Sequence, residues 1–338
     1  MPDTDVFIAG GGPAGLAAAI AARQRGFRVV VADGRRPPID KACGEGLMPD
    51  ARRAAAELGI ELAGPAGYEF RGIRFCGAGR SVQADFPNGR GLGVRRTTLH
   101  QSMVDAAVRA GVELRWDTPV TGIEGIKARW IVGADGSSSL IRQWSGLNRY
   151  VRNTHRFAYR QHFATAPWTD YMETHWGSGC QIYVTPVGRE EVCLALISRT
   201  PQLRMQEALD RHFPELRDLV EGSLATTRER GAVTASTRLH SVTRGNIALI
   251  GEASGSVDAI TGEGICLSFK QAALLADAME RGDLESYNQA HRRLSFRPHV
   301  MSKLMLTLDR GSVVRRLGMG AMSRQPRIFE TLLAVHVA

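Results

Sequence analysis

The stretch "VFIAGGGPAGLAAAIAARQRGFRVVVAD", Val6 to Asp33, decides the fold. Val6 to Ala9 is an apolar run of strand length, Gly10, Gly12 and Gly15 follow it, and the alanine-rich segment up to Gly26 reads as a helix. Phe27 to Asp33 is a second apolar run that closes on an acid. Each glycine has its own reason. Gly10 makes the tight turn, Gly12 lets backbone amides approach a pyrophosphate, and Gly15 lets the helix pack close on the strand. Asp33 stands where a strand-end carboxylate accepts hydrogen bonds from a ribose. Glycines at this spacing are a weak signal alone. Strand, glycines, helix, strand and terminal acid together predict a dinucleotide-binding βαβ unit.

Outward from this unit, "PPIDKACGEG" (37–46) reads as a loop and "DARRAAAELGI" as a helix stopped by Gly59. Tyr68 to Phe86 has the pattern of two or three short strands. "TTLHQSMVDAAVRAGVEL" is a helix with Thr97 or Thr98 as its expected cap and Leu99, Met103, Ala106, Ala107 and Ala110 as its apolar face. "ARWIVGADGSSSLIR" is a buried strand running into a glycine-acid turn, and "NIALIGEASG" repeats that style. Between them, Phe157 to Ile197 alternates as strands do. After Gly264 the chain reads as helical, with a basic, methionine-rich end. The expected organisation is a discontinuous nucleotide domain (1–66, 92–150, 240–285), a β-sheet substrate domain (67–91, 151–239) and C-terminal helices (286–338).

The totals exclude several classes. A chain that is 43% hydrophobic and 23% charged has a globular balance, not a disordered or fibrous one. The net charge of +9 comes without basic runs interleaved with aromatics, so no nucleic-acid partner is expected. Cys43, Cys76, Cys180, Cys193 and Cys266 form no CxxC pair, and the histidines form no HxxxH, HExxH or triad-like pattern. Neither a disulfide framework nor a metal is expected. Acids precede the first strand and no apolar run is long enough to span a bilayer, so a cytoplasmic protein is expected. Contact with a membrane surface through the basic C-terminal helices is left open.

Three glycine-acid turns, at 10–15, 133–136 and 251–264, each follow an apolar strand. With "GGGPAGLAAAIAARQRG", "RRTTLHQSMVDAAVRAGVEL", "VGADGSSSLIR" and "ALIGEASGSVDAITGEGI" in this order, the chain resembles the flavoprotein monooxygenases of the p-hydroxybenzoate hydroxylase fold and their relatives, the geranylgeranyl reductases and flavin halogenases. Within that group "KACGEGL" and "TGEGI" look most like the geranylgeranyl reductase branch. The resemblance implies an α/β fold: a Rossmann-like FAD domain of the GR2 type, an inserted β-sheet substrate domain and a helical C-terminus.

It also implies FAD as cofactor and NAD(P)H as electron donor. Contacts to FAD are implied for Gly10, Gly12, Pro13, Ala14, Gly15, Asp33, Arg35, Cys43, Gly44, Arg96, Val120, Asp135, Gly136, Gly251, Glu252, Gly262, Gly264 and Ile265. Arg96 and Asp135 are implied near the pyrophosphate and Glu252 near the ribityl chain, while the helix opening at Gly262 to Gly264 is implied to aim at the flavin's pyrimidine edge. Cys43 reads either as a redox thiol or as a small loop residue, and Lys41 and Arg95 either as anion contacts or as solvated cations. Tyr159, His162, His175 and Tyr183 fall in the middle strands, where the family keeps its substrate; no catalytic acid or base is assigned.

The expected activity is that of an FAD-dependent oxidoreductase on a hydrophobic small molecule, aromatic, polyketide or isoprenoid. Monooxygenation is suggested by "IYVTPVGREEVCLALIS", and reduction of prenyl or polyene double bonds by "KACGEGL" and "TGEGI". A flavin-binding protein without turnover is a third reading, because Glu252 and Ala259 replace the branch's usual Asp and Pro.

Overall fold

The computed structural model describes residues 3–62 and 67–337. The chain opens with β1 (Thr4–Ala9), α1 (Pro13–Gln24), β2 (Val29–Ala32), β3 (Gly46–Leu47) and α2 (Pro49–Glu57). Strands β4 (Tyr68–Phe70), β5 (Gly72–Gly77), β6 (Arg80–Asp85) and β7 (Gly91–Gly93) lead to α3 (Arg96–Arg109), β8 (Glu113–Arg115), β9 (Ala128–Gly133) and α4 (Leu140–Trp144). The middle contains β10 (Tyr150–Phe163), β11 (Tyr171–Trp176), β12 (Cys180–Gly188), β13 (Glu191–Ser198), α5 (Met205–His212), α6 (Pro214–Val220) and β14 (Arg230–Leu239). The chain closes with β15 (Thr243–Arg244), β16 (Ile247–Leu249), β17 (Gly255–Ser256), α7 (Gly264–Arg281), α8 (Leu284–Arg310), α9 (Ser312–Arg324) and α10 (Pro326–His336).

The first sheet has the order β15-β16-β9-β1-β2-β8 and is parallel except for β15. Strands buried on both faces read as continuous apolar runs, which is why Val29 to Ala32 and Ile131 to Gly133 have no alternation. Helices α1, α3 and α7 supply the buried Leu16, Ile20, Leu99, Met103, Phe269 and Leu275 to its core. All the glycine turns thus sit at the carboxyl ends of β1, β9 and β16, where an open parallel sheet places its ligands.

The second sheet, in the order β17-β14-β10-β13-β12-β11-β5-β6, alternates clearly. Val192, Leu194 and Leu196 of β13 share a cluster with Leu209 of α5, Phe213 at the α5–α6 junction and Leu216 of α6, whereas Ala195 and Ile197 join the cluster on the other face. That second cluster is closed by α8 to α10, with the rings of Phe329 and Phe75 tilted against each other, their centroids 4.8 Å apart. The C-terminal helices are therefore part of the substrate-side core rather than an appendage.

Several expectations need correction. Residues 67–91 divide between sheets: β5 and β6 join the large sheet, while β4 and β7 pair with β3 in a small sheet between the two. Gly255 and Ser256, expected in the nucleotide domain, extend the large sheet beside β14. Neither Thr97 nor Thr98 caps α3. The helix starts at Arg96, whose backbone N–H donates to Glu45 Oε1 at 2.9 Å, so its first turn is held by a carboxylate 51 residues upstream.

Candidate active site

A cleft of about 1180 Å³ runs between the two sheets, larger than the roughly 300–1,000 Å³ of an ordinary small-molecule site. All three glycine-acid turns line it, as do the 34–46 loop, the inner face of the large sheet and one side of α8.

At one end, α1 begins at Pro13 with Gly12 as N-cap and without a side-chain cap. Its free backbone N–H groups and about half a positive charge point at the cleft. A Cβ on Gly12 would meet nothing within 4 Å, so the approach is open. Gly10 has φ +110, and a Cβ there would lie 2.4 Å from the Ala134 carbonyl oxygen. Gly15 lies off the cleft wall: its Cβ would sit 1.8 Å from the Gly10 carbonyl oxygen, so it serves packing rather than contact. Asp33 accepts from the N–H of Gly11 at 2.8 Å and of Arg35 at 2.9 Å, which leaves each oxygen a further acceptor site. His100 joins the Gly11 carbonyl at 2.8 Å, and burial pushes its pKa down, so it holds this turn as a neutral ring.

Arg96 lines the cleft with its Nε buried and unpartnered. Arg35, Val120, Pro13, Ala14, Gly136 and Gly251 also line this half. Asp135 lies on the wall, but its oxygens accept from Ser139 Oγ at 2.5 Å and from the N–H groups of Leu140 at 2.7 Å and Ile141 at 3.1 Å. It builds its own turn by capping α4. Arg142, which sequence reading passed over, spans two turns by donating to the carbonyls of Ser137 at 2.6 Å and Ala253 at 3.1 Å. Its signal was its place at the end of "DGSSSLIR".

The third turn packs on the first. Gly251 has φ +62, and a Cβ there would press to 2.5 Å from Ala14 Cβ. Its N–H donates to Gln271 at 2.8 Å, and Gln271, His291 and Ser254 continue in a buried hydrogen-bonded chain. Burial lowers the pKa of His291 to about 4, so the chain is neutral. Glu252 forms an ion pair with Lys41 at 2.6 Å, a partner the sequence did not suggest, across the cleft from the 34–46 loop. Downstream, Arg156 is buried between Asp258, at 3.2 Å, and Asp309, at 2.8 Å, tying this loop to β10 and α8.

That loop delivers the N-terminus of α7. Gly262 is left-handed at φ +68, Glu263 is the N-cap without a side-chain cap, and a Cβ on Gly264 would meet nothing within 4 Å. With Ile265 these residues line the cleft. Glu263 is buried and its pKa is raised to about 7, chiefly by desolvation and then by Asp50. Its Oε2 lies 3.7 Å from Nδ1 of His336, itself pushed down to about 4 by burial.

The 39–46 loop forms the strap between the halves. Cys43 and Gly44 line the cleft, Cys43 Sγ accepts from the Glu45 N–H at 3.4 Å, and Thr185 Oγ1 donates to the Gly44 carbonyl at 2.7 Å. Glu45, left-handed at φ +58, is gripped by His162 Nε2 at 2.6 Å. His162 is thus off the cleft wall: it lies beneath the strap and anchors it. Arg95 also turns away, into a fork on Glu191. His175 stays off the wall because β11 alternates: Met172 faces the cleft, so Glu173 and His175, 3.0 Å apart, face away.

Tyr159 and Tyr183 do line the cleft, with both hydroxyls committed: Tyr159 donates to the Pro201 carbonyl at 2.8 Å and Tyr183 to that of Ile260 at 2.7 Å. Around them Ala158, Met172, Ala195, Ile197 and Ala232 make an apolar chamber.

The arrangement fits FAD. Two helix N-termini without side-chain caps and the unpartnered Arg96 Nε suit a long, doubly anionic dinucleotide, the acceptor sites of Asp33 suit its ribose, and open Gly12 and Gly264 leave space at both ends.

Comparison with known proteins agrees. The chain is 26% identical to a menaquinone reductase of Mycolicibacterium smegmatis, over 90% of this chain and 85% of that one. It is 31% identical to a 3-(3-hydroxy-phenyl)propionate/3-hydroxycinnamic acid hydroxylase of Mycobacterium avium, over 43% of this chain and 31% of that one. The solved flavin-dependent brominase Bmp2 superposes with a TM-score of 0.84 over 99% of this chain and 93% of its own, at 17% identity. A family described as the FAD binding domain matches residues 3–281. The chain therefore belongs to the FAD binding domain family, with the p-hydroxybenzoate hydroxylase fold, and is an FAD-dependent oxidoreductase.

Proposed function

We propose that this enzyme reduces a carbon–carbon double bond in the isoprenoid chain of a lipid, with NAD(P)H as the electron donor. The observation that carries the reading is the chamber over the large sheet. Its wall includes Ala158, Met172, Ala195, Ile197 and Ala232, the two tyrosine hydroxyls on it are already bonded to backbone carbonyls, and the neighbouring Arg160 is paired with Asp40 and Glu45. Such a wall suits a flexible hydrocarbon and offers a phenol or carboxylate no partner from those tyrosines. The likeness to a menaquinone reductase, whose name denotes a prenylated quinone, runs along nearly the whole chain, whereas that to the hydroxylase covers less than half of it. This moves the balance from the oxygenation suggested by the middle strands to the reduction suggested by "KACGEGL" and "TGEGI".

FAD, when bound, supplies the hydride for such a reduction. The α1 N-terminus and Arg96 would hold its pyrophosphate and Asp33 its ribose, while Gly262 and Gly264 leave room for the ring at the α7 N-terminus, whose partial positive charge favours an anion there. The strap from Ile39 to Gly46, held by Glu45 and His162, lines the cleft between its two halves.

The test is anaerobic. FAD-loaded protein given NADH or NADPH and menaquinone should saturate a prenyl double bond, seen by mass spectrometry as hydrogen gained. Insertion of oxygen in air, with no reduction under argon, overturns the proposal.

A further inference from the structure

We propose that the outer face of α8 and the start of α9 form a docking surface for an anionic lipid bilayer, which places the mouth of the cleft against the membrane. The inference deepens the reading of an isoprenoid lipid substrate by naming how that substrate arrives. Phe296, Val300 and Leu304 repeat every fourth residue along α8 and are 71%, 52% and 43% exposed. At 100° per residue they form one stripe. Arg292 continues the stripe one turn before Phe296, and the exposed Lys303 and Arg293 flank it on opposite sides. Helix α9 folds back on α8 where Gly318 meets Leu308, and adds Val313 and Leu317, 57% and 67% exposed, with Arg316 between them. An apolar stripe with basic residues at its end and along its sides is the pattern of a helix lying in a membrane interface.

Two further observations select a bilayer as the occupant. The first is position: Phe296 lies on the lip of the cleft, as do Val233 and Val151, 57% and 48% exposed, so the stripe runs into the entrance of the apolar chamber. A long hydrocarbon leaving a bilayer there would meet apolar surface all the way in. The second is charge. Between Arg292 and Arg324 the sequence has a single acid, Asp309, which is buried against Arg156 and Arg199, so the face presented outward is cationic. A cationic, apolar-striped face attracts anionic headgroups and repels a second copy of itself. No described helix is long and apolar enough to cross a membrane, so the contact lies in the interface plane.

The test uses the full, FAD-loaded chain in a flotation assay with vesicles of phosphatidylglycerol or of phosphatidylcholine. The protein is expected to float with the anionic vesicles and not with the neutral ones, and to be released by salt. The variant Val300→Ser/Leu304→Ser/Leu317→Ser, outside the cleft, is expected to bind at least about tenfold more weakly. It should keep the flavin absorbance, the melting temperature and the turnover of a short water-soluble prenyl diphosphate of the unaltered enzyme, while losing turnover of menaquinone presented in vesicles. Absence of vesicle binding at low salt, equal binding by the triple variant, or a dimer in sedimentation velocity that the triple variant dissociates would each overturn the proposal. Binding is read without turnover, so failure of the docking surface and failure of the reductase reading are separate results.

Discussion

Gly15 and Gly264 both open helices beside one cleft, yet a methyl group has opposite consequences at the two. On Gly15 it would sit 1.8 Å from the Gly10 carbonyl oxygen, against backbone that cannot move without breaking the turn. On Gly264 it would meet nothing within 4 Å. The first turn is closed chiefly within its own βαβ unit: α1 packs on the Gly10 carbonyl and Asp33 accepts from the Gly11 N–H, with His100 of α3 added on the Gly11 carbonyl. The α7 turn is held in place from elsewhere, by Arg156 on Asp258, by Gln271 on Gly251 and by α10 through His336, whose Nε2 reaches the Thr261 carbonyl at 3.2 Å. One end of the cofactor site is built mainly from one βαβ unit, and the other is an assembly of distant segments.

The sharpest way to break this comparison is Gly15→Ala. It should cost more than about 4 kcal/mol, the range reserved for severe backbone or core damage, and yield no soluble folded protein by circular dichroism. A folded Gly15→Ala protein would remove the distinction. Next comes Arg156→Leu, which leaves Asp258 and Asp309 buried without their shared cation and should destabilise by about 3 to 5 kcal/mol in chemical denaturation. A smaller loss would mean that the α7 turn does not depend on this distant cluster.

Glu263→Gln sharpens the same point through pH. The acid faces Asp50, Lys270, Arg297, Thr261 and His336, and its folded pKa of about 7 lies above the ordinary 4.5. The folded state therefore holds a proton that the unfolded chain releases, so the stability Glu263 contributes is present below pH 4.5 and is lost as pH rises through 7. Relative to wild type, the glutamine variant should gain up to about 3 kcal/mol across that window and stay level above it, read from melting temperatures. His291 and His336 have lowered pKa values and act in the opposite direction, which is why the difference between the two proteins, and not either profile alone, is the measurement.

The smallest effect on stability belongs to Gly264→Val. The flavin-free protein should melt as the wild type does, while FAD binding weakens at least about tenfold, or ~1.4 kcal/mol, by flavin fluorescence titration. Unchanged affinity would show that the α7 opening does not meet the ring.

The same contrast explains what could be read in advance. The β1-α1-β2 unit, the helix stopped at Gly59 and strands β5, β6 and β10 to β13 of the large sheet follow from periodicity, whereas β14 and β17 of that sheet were not foreseen. The α3 cap was misread because Glu45, not Thr97 or Thr98, supplies it. His162 was read as a substrate contact for the same reason: its partner, again Glu45, lies 117 residues away. His175 was assigned to the cleft because strand alternation gives two faces without saying which faces the ligand.

By itself, the sequence determined the elements, the glycine turns and the existence of a dinucleotide site, because helices, strands and tight turns obey rules that span a few residues. Only the tertiary structure decided which carboxylates build turns, as Asp135 and Glu45 do, and which face open space. It also showed that the basic tail carries an exposed apolar stripe at the mouth of the cleft. Hydrogen-bond partners and burial are set by neighbours in space, and in this chain those neighbours lie far apart along the sequence.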